Sequence, residues 1–346
     1  MEFAATQPAD RADGREPERF VAGDGRTVYR LPLEVFPGFW GNAYLIDGGA
    51  HPILVDSGSG QPQSDRCLLG GFETIRERWN APRLEDVGRV VLSHGHIDHL
   101  GGLHTVRRHT DAPIFVHVLD KRIPTHWHER LVVTAGQVEH FLATTGISTE
   151  RKKRHVAAWF GTKRMFRSIA VDGDFEEGPL FDGELVTYHV PGHCPGMVCL
   201  KVDDILLTAD HVLPRISPIL TPEALTLNNG VGHYLSSLDH AAKIPDVRLG
   251  LGGHFGKIDD VYRRIDEIRA LHLARHAEIL ELCHQPRTID ELSRTVFGTV
   301  ESYHIFLALL ETGAHVEYLY QRGALVADNL DELETGSTTV IRYRST

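Results

Sequence analysis

Short apolar runs set off by turn residues fill the first third of the chain. Residues 28–33, 43–46 and 53–55 are apolar stretches bounded by Gly, Pro or Asp, which predicts strands of a sheet. The spacing over 72–79 predicts a helix, 89–92 carries Val90, Val91 and Leu92 as a short buried strand, 100–109 returns to a helical period, and 114–118 predicts a further strand. From 124 to 167 longer helical stretches, 132–145 and 154–166, are interrupted only at Gly146 and Gly161 and predict a helical insertion. Strands return at 185–190, 197–202, 205–208 and 248–251, and a long helix is expected over 258–283.

After Pro286 the pattern changes again. Thr288-Ile289-Asp290-Glu291 reads as a capping box, in which the Thr hydroxyl and the Glu carboxylate satisfy free N–H groups at a helix start. A second helix over 302–312 is expected to end at Gly313, and 316–320 with 324–326 to form a hairpin around Arg322-Gly323. Two helices and a hairpin suggest a winged-helix-like module. The expected division is therefore a flexible tail (1–20), a catalytic unit (21–265) with the insertion at about 124–167, the C-terminal module (266–334) and a second tail (335–346).

Composition narrows the partners. With 42% hydrophobic and 24% charged residues the chain is neither disordered nor a coiled coil. A formal net charge of −11 excludes polyanion binding driven by bulk electrostatics, so any basic site must be local. Four cysteines, Cys67, Cys194, Cys199 and Cys283, have no C-x-x-C spacing and point to neither a zinc ribbon nor a disulfide framework. Residues 1–19 lack an apolar leader and no run of about 18 apolar residues occurs, so a soluble, cytoplasmic protein without membrane attachment is expected. The 22 histidines are the unusual count, and metal binding is the first explanation.

Ser93-His94-Gly95-His96-Ile97-Asp98-His99-Leu100-Gly101-Gly102, directly after the 89–92 strand, concentrates three imidazoles and a carboxylate. In an extended loop residues two apart point the same way, so His94 and His96 can hold one cation, while Asp98 and His99 can reach a second. Imidazole and carboxylate suit zinc, iron or manganese. No G-x-S-x-G elbow and no complete dinucleotide fingerprint competes.

The segment resembles the H-x-H-x-D-H signature of the metallo-beta-lactamase superfamily, and later segments resemble that family's remaining motifs in order: Pro191-Gly192-His193, Thr208-Ala209-Asp210 and Gly252-Gly253-His254. Asp56-Ser57-Gly58 resembles its early turn, whose Asp is structural. The resemblance covers roughly 22–265 and implies a four-layered αβ/βα sandwich of α/β class. It implies one metal on His94, His96 and His193, a second on Asp98, His99 and His254, and Asp210 spanning both. The cofactors so implied are two divalent transition metals, zinc first, with iron or manganese as alternatives. Asp210 in place of a cysteine points away from the antibiotic-cleaving branches and towards the thioesterase and lactonase branches, of glyoxalase II type. The implied chemistry is hydrolysis by a hydroxide bridging the two metals, with Asp98 as proton shuttle. His211, next to Asp210, is a second catalytic candidate, as a hydrogen-bond partner of a ligand or of the leaving group.

Substrate class rests on less. Arg151, Lys152, Lys153 and Arg154, with Lys163, Arg164 and Arg167, form a basic cluster in the insertion, which fits an anionic carrier such as coenzyme A or a phosphopantetheine arm. His233 and Tyr234 are candidate pocket residues. The expectation is a thioester or ester/lactone hydrolase acting on a small acyl substrate of acyl-CoA, acyl-carrier or acylglutathione type. An endoribonuclease or phosphodiesterase is the alternative, disfavoured by the acidic chain, so nucleic acid is not an expected partner. A mononuclear iron oxygenase on His94, His193 and Asp210 is a second alternative, disfavoured by the presence of His96 and His254. A homodimer is left open.

Overall fold

Alternation along the first long strand decides what each face of the first sheet covers. The computed structural model describes residues 15–161, 164–298, 300 and 303–346. In it β1 (Glu18–Val21), β2 (Thr27–Phe36), β3 (Phe39–Asp47), β4 (Ile53–Val55), β5 (Arg89–Val91), β6 (Ile114–His117) and β7 (Gly173–Phe175) lie side by side in chain order. The first four pair antiparallel and β4 to β7 pair parallel. Tyr29, Leu31, Leu33 and Val35 of β2 join one core, under the helix α1 (Pro62–Trp79) that presents Leu68, Phe72 and Ile75, while Val28 joins the other.

The second sheet runs β13 (Lys257–Ile258), β12 (Leu249–Gly252), β11 (Ile205–Ala209), β10 (Val198–Val202), β9 (Leu185–His189), β8 (Gly178–Leu180). Its inner face supplies Val198, Leu200, Val202, Ile205, Leu207 and Leu251, which pack on Val28, Tyr44, Ile46, Ile53 and Val55 of the first sheet. Two sheets packed face to face with helices outside make the expected αβ/βα sandwich. Parallel pairing of β4 with β5 and of β11 with β12 sends the chain out of each pair at one edge, so the turns at Asp56, Ser93, Asp210 and His254 emerge together. No helix among the described residues is long and apolar enough to cross a membrane.

Where a helix is expected over 100–109, the chain forms two one-turn helices, α2 (Ile97–Leu100) and α3 (Leu103–Val106). Gly101 and Gly102 separate them because they pass against the 57–59 backbone, where a side chain at Gly102 would collide with the carbonyl oxygen of Ser57. The insertion holds α4 (Arg122–Thr125), α5 (Trp127–Thr144) and α6 (Thr149–Gly161). After α7 (Val231–Ala241) and the 22-residue α8 (Val261–Leu282), the capping box appears at α9 (Ile289–Phe297), with Glu291 N–H donating to Thr288 Oγ1 and Thr288 N–H donating to Glu291 Oε2.

The expected hairpin at 316–320 is not formed. Helix α10 (Tyr303–Gln321) runs through Gly313, and β14 (Leu325–Ala327) pairs instead with β15 (Tyr343–Ser345), inside the segment expected as a tail. Gly313 is there for close approach: a Cβ would lie 2.6 Å from the ring of Phe141 on α5. The insertion and the C-terminal helices accordingly share one core, with Val138 and Leu142 of α5 packed among Ile279, Leu292, Phe306, Leu309 and Leu319.

Between α8 and α10, burial holds His272 and His276 down to about 3, helped for His272 by His315 and Arg275 against the opposing pull of Glu311, and for His276 by His315 and Arg322. Their unfolded values lie near 6.5. Between pH 6.5 and 3 the unfolded chain therefore binds the extra protons, so stability is full above pH 6.5 and falls as the pH is lowered. The unfolding midpoint of chelator-treated protein should drop from pH 7 to pH 4, with a shallower slope in the His272→Asn/His276→Asn double variant; equal slopes would refute this.

Candidate metal centre

Seven side chains from four connections converge at the sheet edge. His94 and His96 follow β5, Asp98 and His99 lie on α2, His193 follows β9, Asp210 follows β11 and His254 follows β12. His94, His96 and His193 bring nitrogen donors within 4.8 Å of one another, and Asp98, His99 and His254 form a second such set. Asp210 touches both. Its Oδ2 lies 3.3 Å from His254 Nε2, 3.7 Å from His193 Nε2 and 4.0 Å from His94 Nε2, while its Oδ1 lies 3.5 Å from His99 Nε2. Asp98 Oδ2 is 3.5 Å from His254 Nε2 and 3.9 Å from His99 Nε2.

The outer nitrogens of these rings are tied down. His193 Nδ1–H donates to Ile219 O at 2.7 Å, and His254 Nδ1–H donates to Trp40 O at 2.7 Å. Asp56 does three jobs: it accepts from Ser93 N–H at 2.8 Å, from Ser93 Oγ–H at 2.7 Å and from His99 Nδ1–H at 2.9 Å. Because the Ser93 hydroxyl hydrogen is committed to Asp56, its oxygen accepts from His94 Nδ1–H at 3.0 Å. The Nε2 atoms of all four imidazoles are thereby turned inward.

Those inward atoms are what a cation would satisfy. His94 Nε2, His99 Nε2, His193 Nε2 and Asp210 Oδ1 are buried without a hydrogen-bond partner among the described residues. Burial, then the neighbouring imidazoles, pushes His94 far down; burial and His193 push His96 to about 3, and burial lowers His193, so these rings are neutral with free lone pairs. Burial also opposes the charged form of His254, yet Asp210 and Asp98 outweigh it and lift the ring to about 10; the same carboxylates, with Asp56, lift His99. Negative charge is thus concentrated at the second set. Five imidazoles and two carboxylates without thiolate form a donor set suited to divalent transition metals, and Gly253 leaves room for it, since a Cβ there would collide with Asp210 Oδ1.

Asp120 escaped the sequence reading. It follows β6 in no motif, is fully buried, and accepts from Gly95 N–H at 2.7 Å, Gly196 N–H at 2.8 Å and the Cys194 thiol at 3.1 Å. It thereby fastens the His94–His96 loop to the His193 loop, and Cys194 is a buried donor to it, its thiol pushed far up by burial and by Asp120. Only the acid placed just after an apolar strand could have drawn notice.

Other candidates fall elsewhere. His211 is buried with its ring 5.2 Å from Tyr234 and is not among the facing donors. Tyr234 is core, its hydroxyl donating to His211 O at 2.7 Å. His233 pairs with Glu223 at 2.8 Å on the wall of a cleft of about 270 Å³ also lined by Tyr318 and Arg322. Arg151 and Lys152 are half-buried and Arg154 exposed on α6, Arg164 is exposed beyond it, and none forms an ion pair with a carboxylate among the described residues; Lys163 lies outside them.

This sandwich, with its two His/Asp donor sets at the sheet edge, is that of a metallohydrolase. The chain belongs to the metallo-beta-lactamase superfamily, whose sequence profile matches residues 37–254. It is 28% identical to the acyl-coenzyme A thioesterase MBLAC2 of Homo sapiens over 185 residues, 49% of this chain and 58% of that protein. Over 177 residues it is 23% identical to the probable metallo-hydrolase YflN of Bacillus subtilis, 50% of this chain and 61% of that one. The chain thus spans about three fifths of the length of these relatives. A metallo-beta-lactamase family protein from Thermus thermophilus superposes with a TM-score of 0.71 at 26% identity, covering 92% of this chain and 98% of that one. A beta-lactamase domain protein from Burkholderia ambifaria shares the fold at a TM-score of 0.74 and 23% identity, covering 98% and 97%.

Asp120→Asn replaces an acceptor of three hydrogen bonds by a group that must turn an NH2 towards one of the donors. Metal affinity at the His94/His96/His193 set should fall about tenfold, read by chelator competition; an unchanged affinity would contradict the fastening role.

Proposed function

We propose that this chain hydrolyses thioesters of acyl groups carried on a phosphate-bearing thiol of the coenzyme A type, at a centre of two divalent transition metals, zinc first. The observation that carries this reading is the sharing of Asp210 between two facing donor sets. His94, His96 and His193 would hold one ion, Asp98, His99 and His254 the other, and Asp210 would reach both. Bound there, the metals would supply Lewis-acid activation of water and of the acyl carbonyl.

The side chains do the rest. Asp98 is more exposed than Asp210, 16% against 8% at the side chain, and its Oδ2 is the site for a proton taken from water and later passed to the departing sulfur. Asp56, Ser93, Ile219 and Trp40 keep the imidazoles from turning during that exchange. Phe39, 4.6 Å from the His254 ring, shields that side from solvent.

Support for an anionic carrier comes from α6. Its His155 stacks on Phe306 of α10 at 5.5 Å, and Phe306 packs at 5.9 Å against the exposed Tyr303 at the start of that helix. The basic residues of α6 thus lie beside the start of α10, and none of them forms an ion pair with a carboxylate of the described residues. The human relative's thioesterase name agrees with this class.

Three measurements test the reading. Metal-loaded protein should release free thiol from acyl-CoA, and Asp210→Ala should lose metal and activity together. Arg151→Glu/Arg154→Glu should raise KM for acyl-CoA about tenfold while sparing acyl-pantetheine. Turnover of a phosphodiester with none of acyl-CoA, acylglutathione or a lactone would overturn the thioesterase assignment.

A further inference from the structure

A second buried group of ligand-type side chains lies between α8 and α10, where His272, Glu311 and His315 bring donor atoms within 4.8 Å of one another. Its chemistry argues against an ion. At the metal centre four of the five imidazoles tie their outer nitrogen to a carbonyl, hydroxyl or carboxylate, whereas His272 Nε2 and His315 Nδ1 have no partner among the described residues. Arg275 Nη1 already lies 2.5 Å from Glu311 Oε1, so a divalent ion would add to a buried positive charge.

The other carboxylate oxygen shows what Glu311 does. Glu311 Oε2 accepts from Leu220 N–H at 2.6 Å. That N–H belongs to the same planar peptide unit as the carbonyl of Ile219, which accepts from His193 Nδ1–H at 2.7 Å. In a trans peptide the two groups point in opposite directions, so a carboxylate holding one end fixes where the other end aims. Residues 213–228 form neither strand nor helix, and side-chain anchors must set this peptide's orientation. A charged acceptor on the N–H also polarises the carbonyl and strengthens its bond to the imidazole.

We propose that Glu311 is a positioning residue of the metal centre: through the Ile219–Leu220 peptide it fixes the His193 ring, and Arg275 holds the carboxylate in turn. The C-terminal helix then completes a ligand set to which it contributes no ligand. This rests on the metal-binding reading and is independent of the substrate.

The test is Glu311→Gln against a control on the same helix. Glu317 accepts from Glu223 N–H at 2.6 Å and Ala224 N–H at 3.0 Å, docking the same connection to α10 away from the His193 peptide. Metal content and affinity are measured on the full chain by elemental analysis and chelator competition, with the visible spectrum of the cobalt-substituted protein reporting ligand geometry. Glu311→Gln should weaken one of two ions about tenfold to a hundredfold and alter the cobalt spectrum, while Glu317→Gln leaves both unchanged even if its melting temperature falls equally. If the wild type binds two ions and Glu311→Gln holds them as tightly with the same spectrum, the relay is overturned while the metal centre stands. Equal weakening by Glu317→Gln would overturn it in favour of general loop docking. A third ion per chain, lost in His272→Ala, would overturn it in favour of a metal site between the helices.

Discussion

Gathering two carboxylates and five imidazoles at one edge buries His94 Nε2, His99 Nε2, His193 Nε2 and Asp210 Oδ1 with no hydrogen-bond partner among the described residues. Much of the fold serves that constraint. Parallel pairing within each sheet delivers the turns to one side, and the turns that carry the histidines are then locked by bonds from outside the donor set: Asp56 to His99 and Ser93, Trp40 to His254, Ile219 to His193, Asp120 to the Gly95 and Gly196 amides. The third strand joins in, since Asn42 and the Tyr44 hydroxyl both donate to Gly252 O and hold the turn that carries His254.

The ligand-type residues were legible in the sequence because they sit within a few positions of apolar strands and their chemistry admits few other uses. His94 to His99, His193, Asp210 and His254 needed only the order of their motifs, and the structure brings all seven together. Asp120 and Glu311 were not legible. Each acts on backbone groups far away in the chain, 76 positions for Asp120 with Gly196 and 91 for Glu311 with Leu220, and a carboxylate that accepts from an amide leaves no periodic trace.

Misread elements share a physical cause. Local propensity reads Gly313 as a helix end, and the apolar period over 100–109 reads through Gly101-Gly102, because neither signal carries the contacts a glycine makes in the folded chain. In the folded chain both serve as contact surfaces, one admitting the ring of Phe141 and the other the 57–59 backbone. Tyr234 and His233 looked alike as neighbours on one segment, yet the helix turn between them sends the first into the core and leaves the second on a cleft wall. The basic run on α6 forms no ion pair with a carboxylate among the described residues.

The core shared by α5 and the C-terminal helices carries a consequence for synthesis. Leu142 leaves the ribosome 137 positions ahead of Ile279, its partner in that core. At about 5–20 residues per second the wait is roughly 7 to 27 seconds. Through it, the insertion carries an apolar face whose partner surface does not yet exist, and a nascent chain with such a face is a natural client for a chaperone acting during translation.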